Sequence, residues 1–296
     1  MYTAIAANKR KSLLMILVFI GLVGAIGWVF SQVQGNSAIF IGVLVFAVVY
    51  AFFSYWTSDK IALALSRAKP VTKRQSPQLY RVVENLTITA GLPMPRVYII
   101  NDPAPNAFAT GRDPAHAAVA VTTGLLEMLE DEELEGVIAH ELSHVGNYDI
   151  RLMAIVLALV TIIVYVSDFF LRLTFWGSDN RERGGNPLIL VAGIVLALVT
   201  PLIAMLMQLA VSRKREYLAD ASGSLLTRFP DGLARALRKI GDYPRDMRHA
   251  STATAHLFFA NPLRGKRGSG WLARLFSTHP PVEDRIKRLR QMGRQA

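Results

Sequence analysis

No cysteine occurs among the 296 residues. That excludes a disulfide framework and any thiolate metal site, so a metal in this chain is held by histidine and carboxylate. Acid is also scarce: 22 Asp and Glu stand against 33 Lys and Arg, a formal net charge of +11 and a pI near 10.1. A basic balance suits nucleic acid or an anionic lipid surface. No nucleic-acid module signature is present, and the basic residues crowd beside apolar runs. The expected partner is therefore the lipid bilayer and no nucleic acid. The most informative lack is of charge itself: not one charged residue lies between Ser12 and Ser58.

What fills that stretch is apolar, as is 52% of the whole chain, for a mean hydropathy of +0.30. The polar "SQVQGNSA" (Ser31–Ala38) divides it into two runs, each near the ~20 residues a membrane span needs. A cleaved signal peptide fits the first run poorly, because its apolar stretch is too long and a second span follows. A second pair, Leu152–Leu171 and Leu188–Val211, flanks a polar loop with Ser178, Asp179, Asn180 and Gly184. Pro201 is compatible with a membrane helix. Asp168 is the one acid in the third run, near its far end, where it marks the interface.

Lysine and arginine set the orientation. Lys9, Arg10 and Lys11 precede the first span; Lys60, Arg67, Lys69, Lys73 and Arg74 follow the second; Arg213, Lys214 and Arg215 follow the fourth. Both termini and the segment between the hairpins are expected in the cytoplasm. The chain then divides into a transmembrane hairpin (1–58), a first polar part (59–151), a second hairpin (152–211) and a second polar part (212–296). The first polar part mixes a helix over "SPQLYRVVENLTITAGL", strands at "RVYII" (Arg96–Ile100) and "HAAVAVTT" (His116–Thr123), and a helix from "TGLLEML". The second is helical, interrupted by "RGKRGSG" (Arg264–Gly270).

The chemistry concentrates in "GVIAHELSHVGN" (Gly136–Asn147). Residues four apart on a helix share a face, so His140 and His144 can grip one ion. Glu141 projects about 100° round from His140, within reach of a water on that ion. Glu130, Asp131, Glu132 and Glu133 suit a helix N-terminus, and Leu134, Val137, Ile138, Leu142 and Val145 form an apolar stripe. A catalytic zinc needs three protein ligands and an open position. "SRKREYLADASG" offers Glu216, with Asp220 one turn later, and a membrane hairpin returns the chain to the face it left. Glu216 read alone serves equally as the solvated partner of Arg213.

"AHELSHVGNYD", "REYLADASG", "PNAFATG" (Pro105–Gly111) and "STHPPVEDRI" (Ser277–Ile286), in this order around two apolar hairpins, resemble the HtpX family of membrane-bound zinc metallopeptidases, relatives of the CAAX prenyl protease. The resemblance implies a mainly helical α+β integral membrane protein with four transmembrane helices and a zincin-like cytoplasmic catalytic domain. It implies one Zn²⁺ held by His140, His144 and Glu216, with Glu141 as catalytic base and Asp220 orienting a ligand histidine. It puts Asn106 and Ala107 on an edge strand that pairs with substrate backbone, and His279 near the cleft as an oxyanion donor, with Arg285 nearby. His279 before two prolines reads equally as the start of a helix. His116, His249 and His256 match no ligand spacing.

The expected activity is endopeptidase hydrolysis of unfolded or damaged membrane proteins at a bacterial plasma membrane, a quality-control role. Two other readings compete. A site-2-type intramembrane protease would use a distant "DG", and Asp231-Gly232 is present, but arginines surround it and Asp231 suits a helix N-cap. The acids before His140 do not belong in hydrocarbon either. An idle scaffold has no use for Glu141.

Overall fold

The computed structural model describes residues 2–176, 213–248, 250, 254–263 and 280–293, without the side chains of 2–4, 33–34 and 164–176. Two long helices come first, α1 (Tyr2–Gln34) and α2 (Ser37–Leu65). They meet at Gly35, whose φ of 63° is the left-handed conformation glycine tolerates. Asn36 then caps α2, its side-chain oxygen accepting from the Ala38 N–H at 3.0 Å. Both helices are long and apolar enough to cross a membrane, over Ile5–Gln32 and Ser37–Leu65, with mean hydropathies of 2.7 and 2.4. The helix does not stop at Ser58; it continues through Asp59, whose carboxylate pairs with Arg96 at 2.6 Å and ties α2 to the sheet.

Four strands follow: β1 (Lys69–Pro70), β2 (Arg96–Ile100), β3 (Ala107–Thr110) and β4 (Ala118–Thr122), ordered β1-β2-β4-β3. β2 and β4 run parallel, the other pairs antiparallel, and β3 is an edge. β4 is buried along its whole length, which explains its unbroken "AVAVT". The strand read from His116 begins two residues later, because Pro114–His116 forms a 3₁₀ turn. Helix α3 (Pro77–Ala90) buries Leu79, Val82, Val83 and Leu86 at helical spacing and ends at Gly91, φ 64°. The short α4 (Thr123–Met128) precedes α5 (Asp131–Gly146), which carries both histidines and packs against α3 and β3.

At Tyr148, a non-glycine residue with φ 61°, the chain turns by 81° into α6 (Asp149–Trp176). α6 carries the third apolar run. Met15, Phe19, Ala47 and Ala51 of the hairpin pack on its Leu152, Ile155, Val156, Leu159, Val160 and Ile163. The Tyr50 hydroxyl donates to the Ala158 carbonyl at 2.9 Å. The fourth run, Leu188–Val211, lies outside the described residues. Beyond it come α7 (Arg213–Thr227), α8 (Pro230–Asp242) and α9 (Val282–Gly293), with α7 and α8 packed directly on α5. Asp231 is in the first turn of α8, not at its N-cap, which is Phe229; it is half exposed and faces Arg235 at 3.8 Å.

Candidate metal centre

The acids before the histidines do local work. The Glu130 N–H donates to Glu133 Oε2 at 3.0 Å, and Asp131, Glu132 and Glu133 occupy the positive end of the α5 dipole. Glu133 is buried and receives Lys239 Nζ at 2.7 Å, clamping α8 to this end. Close approach of α7 depends on Gly223: a Cβ there would sit 2.9 Å from the His140 backbone nitrogen. With the two helices in backbone contact, Glu216 and Asp220 reach the level of the histidines.

The structure brings His140, His144 and Glu216 together, all buried, with one ligand atom from each lying within 4.8 Å of the others. The two Nε2 atoms are 3.2 Å apart. Glu216 Oε1 is 3.5 Å from His144 Nε2, and its Oε2 is 3.9 Å from His140 Nε2. In a tetrahedral zinc site with bonds of ~2.0–2.1 Å, ligand atoms stand about 3.3 Å apart, so this spacing fits. The ring orientations fit as well. His140 Nδ1 faces Asp220 Oδ1 at 3.0 Å, and His144 Nδ1 faces Asp149 Oδ2 at 3.0 Å. A carboxylate only accepts, so each Nδ1 carries a proton and each Nε2 is the nitrogen turned inward, free to take either a metal or a proton. Two ring nitrogens and a carboxylate converging on one point need a proton or a metal ion between them. The donor set suits zinc.

The acid–base balance reflects the same crowding. Burial pushes His140 down to about 4, helped by the positive charge of Arg285 and opposed by Asp220. Burial acts the same way on His144, but its hydrogen bonds to Asp149 and Glu216 outweigh it and hold the ring well above the ordinary histidine range. Of the two facing rings, one takes a proton readily and the other resists it. Proton and cation compete for the same lone pairs. Asp220, although buried, is brought down to about 2 by Arg285 and His140.

Arg285 is central and almost fully buried, at 1% exposed. Its Nε and Nη2 donate to the two Asp220 oxygens at 2.9 and 2.7 Å, and its guanidinium lies 4.8 Å from the Phe259 ring centroid. Phe259 in turn meets the His140 ring edge-on at 5.0 Å.

Glu141 lies on the side facing the sheet, where its Oε2 accepts the Ala109 N–H of β3 at 2.8 Å. The same edge departs from expectation at Asn106 and Ala107. The Asn106 side chain accepts from the Ala260 N–H at 3.0 Å and donates to the Ala260 carbonyl at 2.8 Å. The Ala107 carbonyl accepts from the Phe259 N–H at 2.8 Å. Both residues direct these groups at the chain itself rather than offering them to another polypeptide, because 258–260 lies along the edge as a short extra strand would. Sequence reasoning missed Phe259 and Ala260, which carry no polar side chain to flag them.

His279 lies outside the described residues, as does His249. His116 pairs with Asp113 at 2.7 Å, and His256 Nε2 is 3.2 Å from the Met153 carbonyl; neither belongs to the group that could hold an ion. Asp149 was overlooked as a supporting residue. No helical spacing relates it to His144, since the Tyr148 turn lies between them.

Residues 73–293 match the family described as "Peptidase family M48". Over 295 residues the chain is 49% identical to the "Protease HtpX homolog" of Tropheryma whipplei (strain Twist), covering 100% of this chain and 99% of that protein. It is 44% identical over 301 residues to the "Protease HtpX homolog" of Caldanaerobacter subterraneus subsp. tengcongensis, covering 99% and 98%. The crystal structure of S. mikatae Ste24p shares the fold, with a TM-score of 0.52 at 21% identity over 98% of this chain and 67% of that one.

Proposed function

The chain belongs to peptidase family M48, among the HtpX proteases, and we propose that it is a zinc endopeptidase hydrolysing peptide bonds of misfolded or damaged membrane proteins at a bacterial plasma membrane. The observation that carries the reading is the convergence of His140, His144 and Glu216 with the Glu141 carboxylate alongside. When bound, zinc supplies Lewis-acid chemistry, acidifying water and polarising the scissile carbonyl. His140, His144 and Glu216 would hold the ion; Asp220 and Asp149 accept from the two Nδ1 atoms and so fix the ring orientation that turns each Nε2 toward it. Glu141 accepts the proton of the attacking water on its carboxylate and delivers it to the departing amine. The Ala109 N–H fixes one Glu141 oxygen and so orients the carboxylate for that transfer. His279 is assigned as the oxyanion donor on the family resemblance alone.

The substrate is read as an extended or unfolded polypeptide, because an edge strand such as β3 recognises backbone with little demand on side chains. Pairing with Ala107 requires Phe259 to leave the edge first. Four spans, with both termini and the catalytic part in the cytoplasm, follow from the basic flanks; the two helices of the N-terminal hairpin support the first half of that topology. A site-2-type reading is disfavoured: α5 and the start of α6 are together apolar enough for a broken span, yet Asp131 and Glu132 at its head are exposed and pair with Arg81 and Arg235.

The test is digestion of an unfolded polypeptide by the detergent-purified full chain, with and without chelator, beside Glu141→Gln. General acid–base groups contribute about 10²–10⁴-fold, so Glu141→Gln should lose activity on that scale while retaining zinc. Full activity in that variant would mean an idle site and a contaminating protease.

A further inference from the structure

The two ligand histidines are supported differently. His140 leans on Asp220, and both Asp220 oxygens are held by Arg285, within the catalytic part of the fold. His144 leans on Asp149 Oδ2, and the other oxygen of that carboxylate, Oδ1, receives Asn8 Nδ2 at 2.7 Å and Arg215 Nη1 at 3.2 Å. Asn8 belongs to α1, the first membrane helix, and is buried. Its Nδ2 makes a second bond, to the Asn147 carbonyl, at 2.9 Å.

An amide nitrogen has two protons, and here they go to the two ends of one turn, Asn147 and Asp149. Between those ends lies Tyr148, a bulky residue in the left-handed region that persists only where its surroundings hold it. Its ring is flanked by Lys9 Nζ at 4.8 Å and the Arg151 guanidinium at 5.1 Å. The cytoplasmic end of α1 thus grips the turn that delivers Asp149 to His144. A carboxylate is free to rotate about its last bond, and the donors on Oδ1 choose the rotation that aims Oδ2 at the histidine.

We propose that Asn8 is a positioning residue of the metal centre: through Asp149 it fixes the orientation of His144, making the first membrane helix part of the metal-holding apparatus as well as an anchor. This rests on the reading of the centre as a metal site.

The experiment uses the full chain in detergent micelles. Zn²⁺ affinity is measured by competition with a chromophoric chelator, and the geometry of the site by the visible absorption of bound Co²⁺. His144→Ala should abolish binding at the site. Loss of an outer partner typically lowers affinity about 10–100-fold, the expectation for Asp149→Ala, and Asn8, one bond further out, should give about 3- to 10-fold. Asn8→Asp keeps the shape but removes the donor, and should weaken zinc at least as much as Asn8→Ala; both should shift the Co²⁺ band. Phe19→Ala loosens the same α1–α6 contact away from the turn; it should lower the melting temperature and leave affinity and band unchanged. Wild-type affinity and band in both Asn8 variants would overturn the proposal. So would a Phe19→Ala protein that loses affinity as the Asn8 variants do, since α1 would then act by docking alone. If the native chain bound Zn²⁺ no better than His144→Ala, the metal reading would fall first and take this inference with it.

Discussion

The N-terminal hairpin and the metal centre are inversions of one another. On the outer faces of α1 and α2 large apolar side chains point outward: Leu13, Phe52 and Phe53 are 59, 63 and 58% exposed. At the centre the charged and polar groups point inward, with His140, Glu141, His144, Asp149, Glu216, Asp220 and Arg285 all buried. In water each arrangement would be costly, the first by the hydrophobic effect and the second by desolvation. Each has its own remedy. The hairpin needs hydrocarbon as its solvent, whereas the centre needs partners, and nearly every charge there has one of opposite sign or a cation to bind. Exposure in this protein therefore reports which solvent a residue meets, and burial of charge reports a site.

If that contrast is right, the centre should fail sharply and the hairpin's outer face hardly at all. The largest effect is expected from Glu216→Ala. Removing one of three ligands should exceed the about 10–100-fold loss typical of an outer partner, so the purified protein should carry far less zinc and no measurable activity. Unchanged zinc stoichiometry would remove Glu216 from the site.

Next comes Arg285→Met, similar in volume but without the charge. It leaves Asp220 buried with His140 alone, and breaking a buried pair in this way costs about 3–5 kcal/mol. Chemical denaturation of the zinc-free protein should show that loss. Adding Asp220→Asn should restore part of it, because the stranded charge goes with it. A double variant no better than the single one would assign the loss to packing against Phe259.

Much of this centre was legible in the chain. The four-residue spacing of His140 and His144 needs only a helix, and Asp220 lies one turn from Glu216 on another. Glu216 was a candidate on the expectation that a hairpin returns to the face it left; read alone it served equally as a partner of Arg213, and it is the structure that groups it with the histidines. What escaped was whatever depended on a turn. Asp149 is five residues past His144, beyond a left-handed Tyr148 that no pattern announces, and Asn8 meets it from the opposite end of the sequence. β1, at two residues, is too short to show a period. Asn106, on its own a turn residue after "DPAP", was put beside the substrate by the family resemblance alone, and its side chain bonds Ala260 in the structure; two phenylalanines and an alanine give no hint of their position along a strand edge.

Smaller effects sharpen the boundary between the two regions. At Gly223→Ala the added methyl meets backbone that cannot yield, 2.9 Å from the His140 nitrogen, and α7 must move outward with Glu216. Overpacking of this kind costs about 1–3 kcal/mol, and zinc affinity should fall together with the melting temperature. The smallest effect belongs to Phe53→Ser. Phe53 is 58% exposed on the outer face of α2, whereas Ala47, Tyr50 and Ala51 of that helix pack on α6. In detergent the change should alter unfolding of the catalytic part by no more than about 0.5 kcal/mol and leave zinc affinity untouched. A loss of several kcal/mol there would mean that Phe53 packs against protein rather than lipid, and the outward face of the hairpin would have to be redrawn as an interface.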